Sequence, residues 1–598
     1  MTWWREAVDR RELGEWTFDL RGDEFADLAW RGRRVLRSIR AVVRDRDWNT
    51  IDLVVDRVTP AESSLTLHVR TDDDRMPFRG VVRAEVRGAD LRVLCDLEAA
   101  EPVETNRTGL VALIPPAAAG ARLDVEHATG TASSTALPVA ISPHQPVLDV
   151  AGIRWSEDGL AVGLAFDGDV FEIEDQRNWT DASFKVYSRP LSLPFPYPVD
   201  AGERVRQAVL ITADVSAPPA AHADDAVVDL RPAGVFPMIG LSASTAPDRA
   251  PDHVGRTTGA RVGSGSDVAI TLVELDLAWP GWRAALDRAV TEGRPLDARL
   301  VLPAEAGVSA EADAGIAAVL AEAIAALTAH PLVRVTAFQP TGPARHISDA
   351  VSVALLRTAL QRAGLEVPVV GGSRAHFTEL NRERHRLPGD LAGTVFSVTP
   401  LFHSRDTEQL VESLAVQRLV AAQAVEVARG TPVHIGPITL RPHFNDVATT
   451  APPRPAASDL SSGYGTHLID ADDSRQSAPE LAAWTIASAA ALAVPGVASL
   501  TFFESWGPRG ILDASGVARP VAAAMRALAL LAGHEAESGS SPDGLIWALA
   551  ARTADGISVL AANLDRVPRR AELHAAGRHT VLDIPAGAWR RLDLEQEQ

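Results

Sequence analysis

The chain has 598 residues, 46% of them hydrophobic and 23% charged, with a formal net charge of −20. That length allows three or four domain-sized units, and the composition is that of a globular protein with a sizeable core. The acidic balance argues against nucleic acid or an anionic membrane as a partner, because both attract basic faces.

The N-terminus, MTWWREAVDRRELGEW, has no basic region followed by an apolar run, so no signal peptide is expected. The longest apolar run, AAWTIASAAALAVPGVASL, is broken by Pro495 and Gly496, which argues against a membrane span. The expectation is a soluble cytoplasmic protein. The triplets at Asn106 and Asn178 match the glycosylation pattern by chance in that setting. A single cysteine, Cys95, excludes an internal disulfide framework and a cysteine metal cluster. Its setting, DLRVLCDLE, alternates like a strand and points to a buried structural thiol.

Residues 1–232 read as a β-sandwich. Short alternating runs such as NTIDLVVDRV, SLTLHVRT and GLAVGLAFDGDVFEIED are separated by Gly, Asp and Pro clusters, with GD at 168–169 read as the turn of a strand pair. The small-residue stretch SAPPAAHADD, 216–225, marks a boundary.

Residues 233–535 alternate apolar runs with Ala/Leu-rich helical stretches. Eight strands are expected, at FPMIGLS, ITLVELDL, ARLVLPA, VRVTAFQP, VPVVGGS, TVFSVTPLF, PVHIGPITL and VASLTFFESW. Eight β/α units in about 300 residues fit a (β/α)8 TIM barrel. The weakest units are the first two, joined by a Gly/Ser-rich link through 243–266 without a clear helix. A doubly wound open sheet is the alternative, but no glycine-rich phosphate fingerprint follows the first strand. Residues 536–598 read as a small C-terminal β-appendage packed on the barrel.

In a barrel, chemistry sits at the C-terminal ends of the strands. Strand five is followed by His376, Glu379, Asn381 and Arg382, and strand six by His403 and Asp406. Strand seven leads to Arg441, His443 and Asn445, and strand eight ends in Glu504 and Trp506. Strand two offers Glu274 and Asp276, and strand four Gln339. Glu504 closes the apolar run SLTFF, where burial raises a carboxyl pKa toward the range useful for proton transfer. The plainer reading is a pair with Arg509. Glu379 is the natural second carboxyl, although FTELNRER equally suits a solvated helix start. His403, His434 and His443 match no compact metal-ligand spacing, and His434 lies mid-strand, so no metal or other cofactor is expected. SSGYGTH, 461–467, lacks the flanks of a serine-hydrolase elbow.

Of the 58 basic residues, Lys185 is the only lysine. Arginine replaces lysine freely on a solvated surface, but not where a compact point charge is needed. Around it, QRNWTDASFKVYSRP gathers Arg177, Asn178, Trp179 and Asp181, just after Asp175. Hydroxyl-rich ligands need such paired donors and acceptors, and a sugar face can rest on tryptophan. The plainer reading is an edge loop with a surface charge. The functional one has the sandwich lending a loop to the barrel mouth.

These residues carry a resemblance. EDQRNWTDASFKVYSRPL followed by PFPYPVDAGERVRQ is similar to the D-apionate lactonase family, as are SIRAVVRDRDWNTI, FTELNR, IGPITLRPHFN and GVASLTFFESWGPRGI. The resemblance implies hydrolysis of a branched aldonolactone, D-apionolactone, to its acid, on a β-sandwich plus barrel scaffold. Two stretches depart from it. Where the family has Asn-Pro-Gln-Val-His-Ala, this chain has Thr399-Pro400-Leu401-Phe402-His403-Ser404. After Glu504, where the family has small hydroxyl residues, it has Ser505-Trp506.

Lactone opening needs a nucleophilic water and a stabilised oxyanion. The expected assignment makes Glu504 or Glu379 the base, Lys185 or Arg177 the cation at the carbonyl oxygen, and His403 a second proton-transfer group. Substrate-binding expectations are Asp175, Arg177, Asn178, Trp179, Asn381, Arg382, Arg441 and Trp506. The alternatives are a retaining glycosidase using Glu379 and Glu504 as its carboxyl pair, and a sugar-binding protein without turnover. The expected partner is a small carbohydrate-derived substrate.

Overall fold

The computed structural model describes residues 8–216, 227–247, 268–450, 456–465 and 473–594 other than 576. Residues 217–225 of the expected boundary stretch and most of the 243–266 link lie outside these, as does the end of SSGYGTH.

The N-terminal domain is an antiparallel sheet system running from Arg10–Leu13 to Arg204–Val215. It folds around one core that includes Trp16, Phe18, Phe25, Phe78 and Phe171. Cys95 lies on Asp90–Ala99, whose residues alternate between the core and a more open face, as a half-buried strand requires. Burial pushes its thiol up to about 12, consistent with an inert structural cysteine.

The GD dipeptide does not close a hairpin. Leu160–Asp167 pairs with Val147–Glu157 and Arg204–Val215, whereas Phe171–Asp175 pairs with Phe184–Ser188. Gly168 has φ 93°, and a Cβ there would meet the Arg206 carbonyl oxygen at 2.1 Å. Glycine is needed because the chain crosses tightly against a neighbouring strand.

The eight expected barrel strands all form, in order. They are Met238–Ser242, Ile270–Asp276, Leu296–Val301, Leu332–Phe338, Gly371–Gly372, Thr394–Val398, Val433–Ile438 and Val497–Trp506. Neighbours pair in parallel, strand eight meets strand one, and a bridge between Val335 and Val369 joins strands four and five. Helix starts follow their caps: Ser309 accepts from the Ala312 N–H and Asp349 from the Ser352 N–H.

The bottom of the barrel is charged. Asp297 on strand three accepts from Arg334 Nε on strand four at 2.9 Å, and Arg334 also donates to Ser499 on strand eight. His434, expected in a packed strand position, shares that serine through Nδ1 at 3.0 Å.

The C-terminal strands form a five-stranded and a three-stranded sheet packed on each other. Helix Glu480–Leu492 is buried at every position, between the barrel and this unit, which explains why its sequence is apolar all round. Val227–Asp229 and Arg231–Val235 pair with C-terminal strands, not with the N-terminal sheet. The chain therefore contributes to the C-terminal unit before it enters the barrel. No helix among the described residues is long and apolar enough to cross a membrane.

The N-terminal domain leans on the strand-six and strand-seven side of the barrel. Arg34 and Arg37 pair with Glu412, and Ile141 bonds through its main chain to Gln423. Above them, Asn445, Thr449 and Thr450 bond to the Asp47 loop.

Candidate functional site

Between these contacts lies a cleft of about 1330 Å³. One wall comes from the N-terminal domain, including Arg44, Trp48 and Asn49. The other comes from the ends of barrel strands six and seven, including Phe402, His403, Arg441, Phe444 and Asn445. The position at the C-terminal face of the barrel and at a domain interface is where small-molecule sites concentrate.

His403 is the pivot of this cleft. Its Nδ1 lies 2.8 Å from Oδ2 of Asp181, a residue of the N-terminal domain. Its ring stands edge-on to Trp179 at 5.2 Å and to Phe402 at 4.7 Å, which fixes its orientation. Burial, then the charges of Lys185 and Arg44, hold the imidazole well below its ordinary pKa and keep it neutral. Burial also pushes the Asp181 carboxyl up to about 7, against the pull of Arg37 and Lys185. Gln409 donates to the other Asp181 oxygen.

Lys185 forms an ion pair with Glu174 on the neighbouring strand, and its ammonium sits 4.8 Å from the Tyr187 ring. Burial lowers its pKa, offset by Glu174. Burial works against the Glu174 carboxylate too, yet Lys185, Arg382 and His403 hold it below its ordinary value. The lone lysine thus acts electrostatically on His403 from behind the cleft wall. Arg44, lowered to about 10 chiefly by burial, is a cation on the wall itself.

Several expected ligand-binding residues serve the scaffold instead. Arg177 and Asp175 form a fully buried pair, and Arg177 donates to the carbonyls of Pro138 and Val139. Asp175 accepts from the Ser142 N–H, and Asn178 donates to the Ser142 carbonyl. Asn381 donates to Asn178 Oδ1 and to the Ile141 carbonyl, both at 3.1 Å. These bonds knot the 138–142 segment between the domains, so none of the four lines the cleft. Trp179 and Arg382 stack behind His403, with the guanidinium 5.0 Å from the indole. Arg441 does line the cleft and donates to Asp473 at 3.2 Å.

The two expected carboxyl bases lie apart from the cleft wall. Glu504 is fully buried and accepts from the backbone N–H and hydroxyl of Thr245, in the loop after strand one. Burial raises its pKa, as expected from the sequence, but its partners are Thr245, Arg509 and Arg288 and none comes from the N-terminal domain. Trp506 beside it is buried and stacks under Arg288. Glu379 belongs to a deeper cluster with His376 and Asp446. Neither Glu379 nor Glu504 lines the cleft. Leu401, where the family resemblance departs, is in the barrel core.

His403, Lys185 and Arg441 stand out in the sequence, whereas Arg44, Asp446 and the pairing of Asp181 with His403 do not. Asp181 stands in the same polar stretch as Lys185, so only its partner was invisible. Arg44 is one of many arginines, and nothing in its local sequence distinguishes it.

Family models agree with this division into an N-terminal domain and a barrel. The model of the D-apionate lactonase N-terminal domain matches residues 3–216, and that of the D-apionate lactonase TIM barrel domain matches residues 257–533. A D-apionate lactonase of Brucella anthropi is 26% identical over 550 residues, covering 88% of each chain. Among solved structures, SrfJ from Salmonella typhimurium covers 65% of this chain and 96% of its own, at 11% identity and a TM-score of 0.40. A glucosidase from Croceicoccus marinus covers 60% and 83%, at 16% identity and 0.37. Similarity at that level carries nothing about chemistry.

Proposed function

The chain belongs to the D-apionate lactonase family, and we propose from that premise that it hydrolyses a branched aldonolactone, of the D-apionolactone type, to its aldonic acid. The observation that carries the reading is His403 on the cleft wall, paired with Asp181 behind it. It supplies a neutral imidazole with one nitrogen committed to a carboxylate and Nε2 left for a water, the arrangement that general-base catalysis uses.

In this mechanism the lactone lies in the cleft with its carbonyl oxygen toward Arg44. A water gives its proton to His403 Nε2 while its oxygen bonds to the carbonyl carbon. Asp181 stabilises the imidazolium that forms. The charge on the carbonyl oxygen is met by Arg44, with Lys185 adding positive field from behind the wall. As the oxyanion collapses, the ring C–O bond breaks and the leaving alkoxide takes the proton from His403. The role first given to Arg177 passes to Arg44, because Arg177 is spent on Asp175 and main-chain carbonyls. The base role passes from Glu504 and Glu379 to His403, because neither glutamate lines the cleft. Trp48, Asn49, Asn445 and Arg441, which line the cleft, would meet hydroxyls and the product carboxylate.

The glycosidase alternative requires two carboxyls on one substrate. Among the described residues Glu379 and Glu504 have different partners, and neither lines the cleft. The test is acid release from D-apionolactone, followed in a pH-stat, for the wild type and His403→Gln. Undiminished turnover in the variant overturns the mechanism, and release from aryl glycosides but not lactones overturns the substrate class.

A further inference from the structure

Behind Phe402, away from the cleft wall, the ends of strands five, six and seven bring a second set of polar groups together. His376 precedes helix Phe377–Glu383 and makes no capping bond, so its ring is free to turn inward. Its Nδ1 lies 3.0 Å from Asp446 Oδ2, beyond strand seven. Its Nε2 bonds to the Thr399 hydroxyl, just past strand six. Glu379, in the first turn of that helix, completes the group. One ligand atom each from His376, Glu379 and Asp446 lie within 4.8 Å of one another.

These partners leave the cluster incomplete. Asp446 is 3% exposed, and its Oδ1 has no hydrogen-bond partner among the described residues. Glu379 Oε2 is buried and equally without one. Two carboxylate oxygens therefore point into a protein interior with nothing to satisfy them, which is costly unless a cation or proton sits between them.

We propose that His376, Glu379 and Asp446 hold one divalent metal ion of the zinc or manganese class. One imidazole nitrogen and two carboxylates are the mixed donor set such ions accept. Thr399 fits the role of outer partner: a metal-bound histidine usually anchors its other ring nitrogen by a hydrogen bond, which fixes the tautomer. Ion binding would displace the proton between Nδ1 and Asp446, leaving Nε2–H to donate to Thr399. The ion would tie the ends of strands five and seven together behind Phe402, whose ring lies 4.9 Å from His376 and 4.7 Å from His403. The site is independent of which lactone the cleft accepts, and its test reads metal instead of turnover.

The test uses the full-length protein, stripped with EDTA, equilibrated separately with Zn2+ and Mn2+, desalted and measured by elemental mass spectrometry and thermal unfolding. The expected result is about one ion per chain for at least one metal, with a raised Tm, as a ligand bound only by the folded state requires. Asp446→Asn and Glu379→Gln should each weaken retention at least about tenfold. A variant lacking His574 and His579, an exposed pair with rings 5.2 Å apart, should keep the ion. Wild-type protein that retains neither metal overturns the proposal. So does retention undiminished in either carboxyl variant, or loss that follows His574 and His579. If Asp446→Asn fails to fold, Glu379→Gln and the wild-type stoichiometry still decide.

Discussion

His403 on the barrel and Asp181 on the N-terminal domain are 222 residues apart in sequence and meet at 2.8 Å. Each domain thus brings half of the proposed acid–base pair, which forms only when the two are docked. The domain contacts around it, from Arg37 to Glu412 and from Asn381 to Asn178, are then conditions for function as well as stability.

This pairing predicts a pH profile. With the Asp181 carboxyl at about 7, the pair carries one extra proton below that pH and loses it above. Only the deprotonated pair can accept a proton from water. kcat/KM should therefore rise tenfold per pH unit up to about pH 7 and level off above it. Asp181→Asn should abolish that limb and lower kcat by about 10²-fold or more. A profile unchanged in the variant would assign the limb elsewhere.

Lys185→Arg should lower kcat/KM at least tenfold, because a planar fork does not reproduce the compact charge that pairs with Glu174 beside the Tyr187 ring. Lys185→Met leaves the Glu174 carboxylate buried beside an apolar chain and should cost about 3 kcal/mol of stability, read in urea. A fully active arginine variant would show that the single lysine is an accident of composition.

Glu504→Gln separates the lactonase reading from the glycosidase one. Since Glu504 holds the Thr245 N–H and hydroxyl and touches nothing in the cleft, its loss should reduce stability by about 1–2 kcal/mol. kcat should stay within about tenfold of wild type. A loss matching that of His403→Gln would return the base role to the glutamate.

At the barrel bottom, two groups make stability fall in acid. Asp297, despite its burial, is held at about 2 by Arg334 and Arg299, so its contribution is full above its ordinary 3.8 and is lost toward pH 2. His434, lowered to about 3 by burial and Arg334, stays neutral while the unfolded chain takes up its proton below 6.5. Stability should drop by about 1.4 kcal/mol per pH unit from that group between pH 6.5 and 3. His434→Gln should flatten that slope in urea titrations, and Arg334→Met should cost about 3 kcal/mol at pH 7.

Much of the architecture is legible along the chain because it follows local rules. The eight barrel strands stand out as apolar runs between helical stretches, and Cys95 follows period-two alternation. These patterns depend only on which side chains must leave water. Glu504 shows the limit: its burial and raised pKa follow from SLTFF, but its partner Thr245 lies 259 residues earlier, and neither lines the cleft. The polar stretch 175–185 was visible as a cluster, yet whether each group faced ligand or scaffold was not. Asp175, Arg177 and Asn178 turn toward the 138–142 segment, and Asp181 toward His403.

The sequence by itself determined the barrel, the antiparallel N-terminal domain and the singular place of Lys185, since hydrophobic period and composition are local properties of the chain. Which polar residues line the cleft, knot the domains together or gather around His376 was settled by the fold alone. Hydrogen bonds and ion pairs act over a few ångströms, and no pattern along the chain encodes which distant segments will come that close.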